Sequence, residues 1–175
     1  VAPDFSALDA LCGELSFCDE REEKEIARIF CGAEKLFMIG RGTDYCTALE
    51  ASLKIKETSY VNADVYFAGE LKHGFLALVD ENSYVAVFAT DETTLQKTLS
   101  NAEEARARGA KIILFTTAAP EKLCGAEKKY FRILRIQKLR GVREGDANSA
   151  LLPAGGNPLQ CIQNVLPWQL IAYYM

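Results

Sequence analysis

The stretch that decides the fold is KLFMIGRGTDYCTALEASLKIKETSYVNADVYFAGELKHG, which occupies residues 35–74. Its apolar start predicts a buried strand that ends in the tight turn Gly40-Arg41-Gly42. A helix follows and runs to about Ser59, and the side chain of Thr43 or Asp44 can cap it. A buried strand that leads through a glycine turn into a helix is typical of a βαβ unit.

Strand and helix patterns alternate through the rest of the chain. The further strands are predicted at 65–67, 83–89, 111–116 and 129–136, and the further helices at 5–31, from Asp91 to Arg108, and from Pro158 onward with a kink at Pro167. A short helix passes through Leu71, Leu76 and Leu78, and residues 137–157 form a long loop. The alternation predicts an α/β fold, with helices on both faces of a doubly wound parallel sheet of five strands.

The composition is that of a globular protein with one sizeable core. Of the 175 residues, 49% are hydrophobic and 25% are charged, and the net charge is −4 without a basic patch. Nucleic acid is therefore not an expected partner. The sequence shows no apolar stretch as long as a membrane span and no signal peptide, so we expect no membrane association and a cytoplasmic location.

The expected organisation is a helical segment, residues 1–34, that packs on a domain formed by residues 35–175. The last residues, 170–175, are still apolar where the sequence stops. A helix that ends on its apolar stripe suggests that the natural protein continues, and the start at Val1 equally suggests an excised fragment.

Neither a metal site nor a cofactor is expected. The six cysteines form no Cys-x-x-Cys pair and the sequence holds one histidine, so the thiols are predicted to be mostly buried and free in a reducing compartment. Gly40-Arg41-Gly42 lacks the third glycine of a dinucleotide-binding turn, because Tyr45 stands at that position. The cysteines are Cys12, Cys18, Cys31, Cys46, Cys124 and Cys161.

Residues suited to proton transfer concentrate on the helix after the glycine turn. Glu50, Lys54 and Glu57 follow at i, i+4 and i+7, which places them on one stripe of the helix. The histidine, His73, lies shortly afterwards between Gly69 and Gly74. Two carboxylates, an ammonium and an imidazole can move protons. The same stripe can equally be a solvated row of ion pairs, and His73 can be a structural residue.

A separate apolar stripe of this helix, formed by Tyr45, Leu49, Leu53 and Tyr60, is predicted to face the core. The polar stripe therefore need not be buried for the helix to pack.

Several motifs in this region resemble the sugar isomerase (SIS) domains of glucosamine-6-phosphate synthase. They are Gly-Arg-Gly-x-x-Tyr from Gly40, Ala-Leu-Glu from Ala48, Leu-Lys-x-Lys-Glu-x-Ser-Tyr from Leu53, and Ala-Gly-Glu-Leu-Lys-His-Gly from Ala68. The similarity extends over roughly residues 35–175 and is weakest over 135–156. It implies a flavodoxin-like SIS fold and a place as the second of two such domains in tandem.

The resemblance also implies roles for individual residues. Glu57 would move a proton between C1 and C2 of an open-chain sugar phosphate such as fructose 6-phosphate, and Lys54 would assist it. His73 would open the sugar ring, reaching the site of a neighbouring subunit. Glu50 would organise the same face and, with Gly40-Arg41-Gly42, bind the substrate. A homodimer or a first SIS half is the implied partner.

Some family features are missing. The loop after the third strand reads Thr90-Asp91-Glu92-Thr93-Thr94, where the family's first SIS domain has a serine- and threonine-rich phosphate loop. The sequence stops at Met175 without the C-terminal tail and imine-forming lysine that the resemblance implies, and Phe75 stands where the family usually has proline. The expected function is thus half of an isomerase site, with the fragment inactive by itself. The alternatives are a regulatory module that senses a phosphosugar without turnover, and a scaffold that supplies a dimer interface.

Overall fold

The computed structural model describes residues 20–123, 128–139 and 159–175, together with Leu15 and Gly125. The strands in these ranges are β1 (Lys35–Gly40), β2 (Ala63–Phe67), β3 (Ser83–Ala89), β4 (Lys111–Thr116) and β5 (Arg132–Arg135). The helices are α1 (Glu20–Cys31), α2 (Thr43–Ser59), α3 (Phe75–Leu78), α4 (Leu95–Arg106) and α5 (Gln160–Tyr174), and 3₁₀ segments cover Ala68–His73 and Pro120–Leu123. The predicted helix over 5–31 is present from Glu20, and most of its earlier part lies outside the described residues, as do Pro158 and most of the 137–157 loop.

The strands form one parallel sheet in the order β2-β1-β3-β4-β5. β3 and β4 lie in its interior and are buried over nearly their whole length, which explains their continuous apolar sequences. Because β1 pairs with both β2 and β3, the strand order changes direction between β1 and β3. The predicted doubly wound α/β fold is confirmed, and this change of direction is where such folds open a crevice.

Two apolar layers cover the faces of the sheet. On one face, α1, α2 and α5 pack together around Trp168, whose indole stacks with the rings of Phe30, Phe88 and Phe115. On the other face, α4 packs with the segment that includes Leu71. The fold thus presents the outer side of α2 at the surface.

The prediction for the core-facing stripe of α2 is wrong. Leu49 and Leu53 are 46% and 45% exposed, and Tyr60 is almost fully exposed. The buried stripe instead carries smaller side chains together with one isoleucine: Thr47, Ala48, Ala51, Ser52 and Ile55. The small side chains let the backbone of α2 lie close to the sheet and to α5, which the leucines would prevent.

Both predicted helix caps are also wrong. Gly42 is the residue that precedes α2, and no side chain caps this helix. Asp91 lies one turn ahead of α4, which begins at Leu95. The Asp91 carboxylate instead accepts hydrogen bonds from the backbone N–H and the hydroxyl of Thr93, at 2.8 and 2.7 Å.

The cysteines depart from expectation too. Among those described, Cys31 and Cys46 are exposed and Cys161 is half-buried, so the predicted burial of the thiols is wrong for the first two. Among the described helices, none combines the length and the apolar character that a membrane crossing requires.

Candidate functional site

The glycine turn lies at the carboxyl end of β1, beside the point where the strand order changes direction. Gly40 ends the strand and Gly42 adopts a left-handed backbone with φ of 56°. A Cβ at Gly40 would lie 2.6 Å from the carbonyl carbon of Asp44, closer than a side-chain carbon can approach. Glycine is therefore required here because the first turn of α2 touches the end of β1.

Arg41 of this turn is fixed by contacts with neighbouring elements. Its Nη2 donates a 2.8 Å hydrogen bond to Oδ1 of Asn101 in α4, and its guanidinium carbon lies 5.8 Å from the ring centre of Phe67. Within the described residues its buried Nε has no hydrogen-bond partner. Gly69 leaves room for this arrangement, since a Cβ there would lie 2.9 Å from Phe67 and 3.3 Å from Nη1 of Arg41.

The polar stripe of α2 forms a connected group of charges. Lys54 Nζ lies 3.3 Å from Oε1 of Glu50 and 3.3 Å from Oε2 of Glu57. Hydrogen bonds to Glu57 and then to Glu50 raise the pKa of the Lys54 ammonium, so Lys54 is a cation at neutral pH. The Glu57 side chain is 56% exposed. The helix therefore presents a carboxylate beside a fixed positive charge, in a geometry that suits proton transfer and that also occurs in simple surface ion pairs.

His73 lies at the end of the 3₁₀ segment that follows β2. Its imidazole is 75% exposed, and Nε2 lies 3.8 Å from Oε2 of Glu70. Gly74, with φ of 134°, then turns the chain into α3. In the described part of the chain, His73 pairs with Glu70, and Glu57 pairs with Lys54. No contact between Glu57 and His73 is found among the described residues.

Neither the concavity beside β5 nor the one at the amino-terminal ends of β1 and β2 includes Lys54, Glu57 or His73. In the described part of the chain, no group of three or more His, Cys, Asp or Glu side chains is arranged to hold a metal ion. The side chains of Lys54, Glu57 and His73 are partly to largely exposed to solvent in this chain.

A buried carboxylate at the glycine turn is the feature that the sequence did not reveal. Asp44 is fully buried, and it accepts hydrogen bonds from the backbone N–H groups of Thr90 and Asp91 at 2.8 and 3.2 Å. The Thr90 hydroxyl also donates to it, as does the side-chain amide of Asn164 at 3.5 Å. Burial raises the pKa of the Asp44 carboxyl, and the Thr90 and Asp91 hydrogen bonds oppose that rise.

The sequence model of the SIS domain family matches residues 29–140. The chain belongs to the SIS domain family. Its motifs after β1 and β2, which suggested this resemblance, lie at the carboxyl edge of the sheet and on the exposed side of α2. The predicted recognition and fold are confirmed.

Curated relatives of this SIS domain are named glutamine–fructose-6-phosphate aminotransferase (isomerizing). The protein from Caldanaerobacter subterraneus is 37% identical over 158 residues, covering 88% of this chain and 23% of the relative. The protein from Bradyrhizobium diazoefficiens is 39% identical over 166 residues, covering 95% of this chain and 23% of the relative. The chain therefore spans less than a quarter of the length of these relatives.

Among solved structures, this SIS domain is similar to the C-terminal domain of glucosamine-fructose-6-phosphate aminotransferase from Francisella tularensis. The identity is 32% and the TM-score 0.65, with 89% of this chain and 38% of that chain covered. The sugar isomerase domain of an RpiR transcription factor from Sphaerobacter thermophilus has a TM-score of 0.65 at 14% identity, covering 89% of this chain and 77% of that chain. At that identity the likeness shows a shared fold only.

Proposed function

We propose that this SIS domain supplies one half of an isomerase site that acts on a phosphosugar, with fructose 6-phosphate as the favoured substrate. The observation that carries the proposal is the Lys54 ammonium held between the carboxylates of Glu50 and Glu57 on the exposed side of α2. The names of the curated relatives, which specify fructose 6-phosphate and isomerisation, support the choice of substrate and reaction.

Glu57 is the proposed base. Conversion of a ketose to an aldose removes a proton from C1, next to the C2 carbonyl, and returns a proton to C2, while the hydroxyl proton of O1 is lost and O2 gains one. A carboxylate next to an ammonium can take and return that proton while the ammonium stabilises the negative charge that develops on oxygen. Because Lys54 is held as a cation, it is suited to stabilise the negative charge on the sugar oxygen, and Glu57 is suited to transfer the proton.

His73 has the proposed role of opening the sugar ring, for which an imidazole is suited because its ring nitrogens can donate and accept protons. It lies on a different segment from Glu57, and its described partner is Glu70. The proposal therefore assigns the completion of the site to a companion, either a second copy of this chain or another SIS half. Glu50 and the Gly40-Arg41-Gly42 turn are the proposed substrate-binding residues of this half.

The alternative is a sensor that binds a phosphosugar without turnover. The exposure of the Lys54, Glu57 and His73 side chains is the observation that favours it, since catalysis is favoured by preorganised groups in a site that excludes water. The two functions differ in whether protons on the sugar carbons exchange with solvent. A sensor leaves these protons in place, whereas an isomerase exchanges them even without an amine donor.

Glu57→Gln tests the proposal, because it removes the base and keeps the shape of the side chain. In the full-length protein that carries this domain, we expect the variant to bind fructose 6-phosphate and to lose about 10²–10⁴-fold in turnover. The assays are isothermal titration calorimetry for binding, and proton NMR in D₂O for exchange at C1 and C2. The isolated 175-residue chain should show little exchange.

Glu81→Gln is the matched control, since it also neutralises an exposed glutamate and lies just before β3, at the amino-terminal edge of the sheet, away from Glu57 and His73. It should retain proton exchange at C1 and C2. Exchange at the unmodified rate in Glu57→Gln would refute the assigned base. Sugar binding without exchange in the unmodified full-length protein would favour the sensor instead.

A further inference from the structure

The crevice between the carboxyl ends of β1 and β3 is where folds with this strand order commonly bind phosphate-bearing ligands. In this chain the crevice contains a side chain of the protein itself. Asp44 enters from the first turn of α2 and is fully buried. We propose that the Asp44 carboxylate occupies the anion position of this crevice, so that this SIS domain cannot bind a phosphate group there.

The contacts of Asp44 are those that a bound anion would make. One oxygen accepts the consecutive backbone N–H groups of Thr90 and Asp91, at 2.8 and 3.2 Å. The other accepts the Thr90 hydroxyl and, at 3.5 Å, the amide of Asn164. Successive backbone N–H groups at the end of a strand are typical donors to phosphate oxygens. Here a carboxylate already uses them.

The surrounding residues hold this carboxylate in place. Asn164 of α5 donates a 2.7 Å hydrogen bond to the Thr90 hydroxyl, and Gln160 donates a 2.9 Å hydrogen bond to the side-chain oxygen of Asn164. Asp44, Thr90 and Asn164 are all buried. The network therefore ties α2, the end of β3 and α5 to one point, with the Asp44 carboxylate at its centre.

The charges around the crevice also oppose the binding of a phosphate group. A phosphate at this point would meet the buried carboxylate of Asp44 and, on the loop that follows β3, the carboxylate of Asp91. The Asp91 Oδ2 lies 3.9 Å from where a Cβ of Gly42 would be, so it faces the glycine turn. Two carboxylates near one position repel a further anion at close range.

This inference rests on the proposed function for one consequence only. If the domain acts on a phosphosugar, the phosphate group must be held by residues outside this crevice, and a companion SIS half is the natural source. The occupation of the crevice by Asp44 can be tested without any sugar. A result that refutes this occupation can therefore be told apart from one that refutes the proposed function.

The test is a titration of the 15N-labelled 175-residue chain with millimolar inorganic phosphate, following the amide resonances of Thr90 and Asp91. We compare the unmodified chain with Asp44→Ser, which frees the two backbone N–H groups, and with Asp44→Ser combined with Asp91→Asn, which also removes the neighbouring charge. Asp64→Ser is the control: it removes one carboxylate near the amino-terminal ends of β1 and β2, at the opposite edge of the sheet.

We expect no saturable shift of either amide in the unmodified chain or in Asp64→Ser, and a saturable shift of both amides in at least one of the Asp44→Ser chains. A saturable shift in the unmodified chain overturns the proposal, because the site would then be open. Folded Asp44→Ser chains that both fail to respond overturn it as well. If those chains do not fold, the unmodified chain decides: a saturable shift overturns the proposal and its absence supports it.

Discussion

Gly40→Ala should destabilise this domain because there is no room for a side chain at the end of β1. The added Cβ would lie 2.6 and 2.7 Å from the carbonyl carbon and oxygen of Asp44, and 2.8 Å from the backbone nitrogen of Tyr45. All three are backbone atoms of the first turn of α2, so no side-chain rotation relieves the contact. The helix must move away from the strand, and it carries Lys54 and Glu57 with it.

The size of the effect follows from two opposing terms. Overpacking of this kind costs about 1–3 kcal/mol, and three backbone contacts below 3.0 Å place this site at the upper end of that range. Alanine loses less backbone entropy than glycine on folding, which returns about 0.5–1 kcal/mol. The expected net loss in the free energy of unfolding is about 2 kcal/mol, or about 4–8 °C in Tm for a domain of this size.

Urea unfolding followed by tryptophan fluorescence is the assay, because Trp168 is the single tryptophan and is buried among aromatic rings. Gly32→Ala is the matched control. Its nearest contact would be the Ile29 carbonyl oxygen at 3.8 Å, so this variant should gain about 0.4–1 kcal/mol. Equal stabilities of Gly40→Ala and Gly32→Ala, within about 0.5 kcal/mol, would refute the reasoning from the close approach.

Two further predictions concern the surface and the core. Hydrogen bonds from Lys138 and then Lys122 hold the pKa of Glu92 below its ordinary value, so stability from this group is present above its unfolded-state pKa and is lost as the pH falls. Lys138→Ala should raise the pKa of Glu92 in a 13C carboxyl titration, and an unchanged pKa would contradict the pairing. Ile55→Ala should cost about 2–5 kcal/mol in urea unfolding of the isolated chain. Leu53→Ala should change the free energy of unfolding by no more than about 0.5 kcal/mol. A larger loss for Leu53→Ala than for Ile55→Ala would instead support a core formed by the leucines.

The strands were the most predictable part of the fold. β3 and β4 match their predicted limits because an interior strand of a parallel sheet is apolar on both faces and its sequence changes character at both ends. β5 was predicted over 129–136 and spans Arg132–Arg135. The N–H groups of Phe131 and Ile136 still bond to carbonyls of Ile112 and Thr116, so pairing with β4 continues where regular strand geometry has ended.

The orientation of α2 could not be obtained from periodicity alone. Leu49 and Leu53 recur at helical spacing, and so do Ala48, Ala51 and Ile55, so two stripes competed for the core. Hydrophobicity favours the leucines. Close packing of the helix on the sheet favours the smaller side chains, which share one apolar cluster with Trp168 and Phe30, far away along the chain.

The Asp44 network was hidden for a similar reason. An aspartate just inside a helix suggests a local cap, and nothing near it in the sequence points elsewhere. Its partners Thr90 and Asn164 are 46 and 120 residues away. They meet at Asp44 only because β1 and β3 are neighbours in the sheet and α5 returns across their carboxyl ends.

The exposure of the proposed site and the exposure of Leu49 and Leu53 have one structural cause. Because the small inner stripe brings α2 against the sheet, the helix turns both Glu57 and the half-exposed Leu49 and Leu53 outward. Leu49 and Leu53 lie one turn apart, and their half-exposed side chains offer apolar surface that a partner could bury. A companion that covered the leucines would also remove water from the Lys54–Glu57 pair, and a drier environment would strengthen the electrostatic part of the proposed proton transfer. This link supports the proposal that a second SIS unit completes the site.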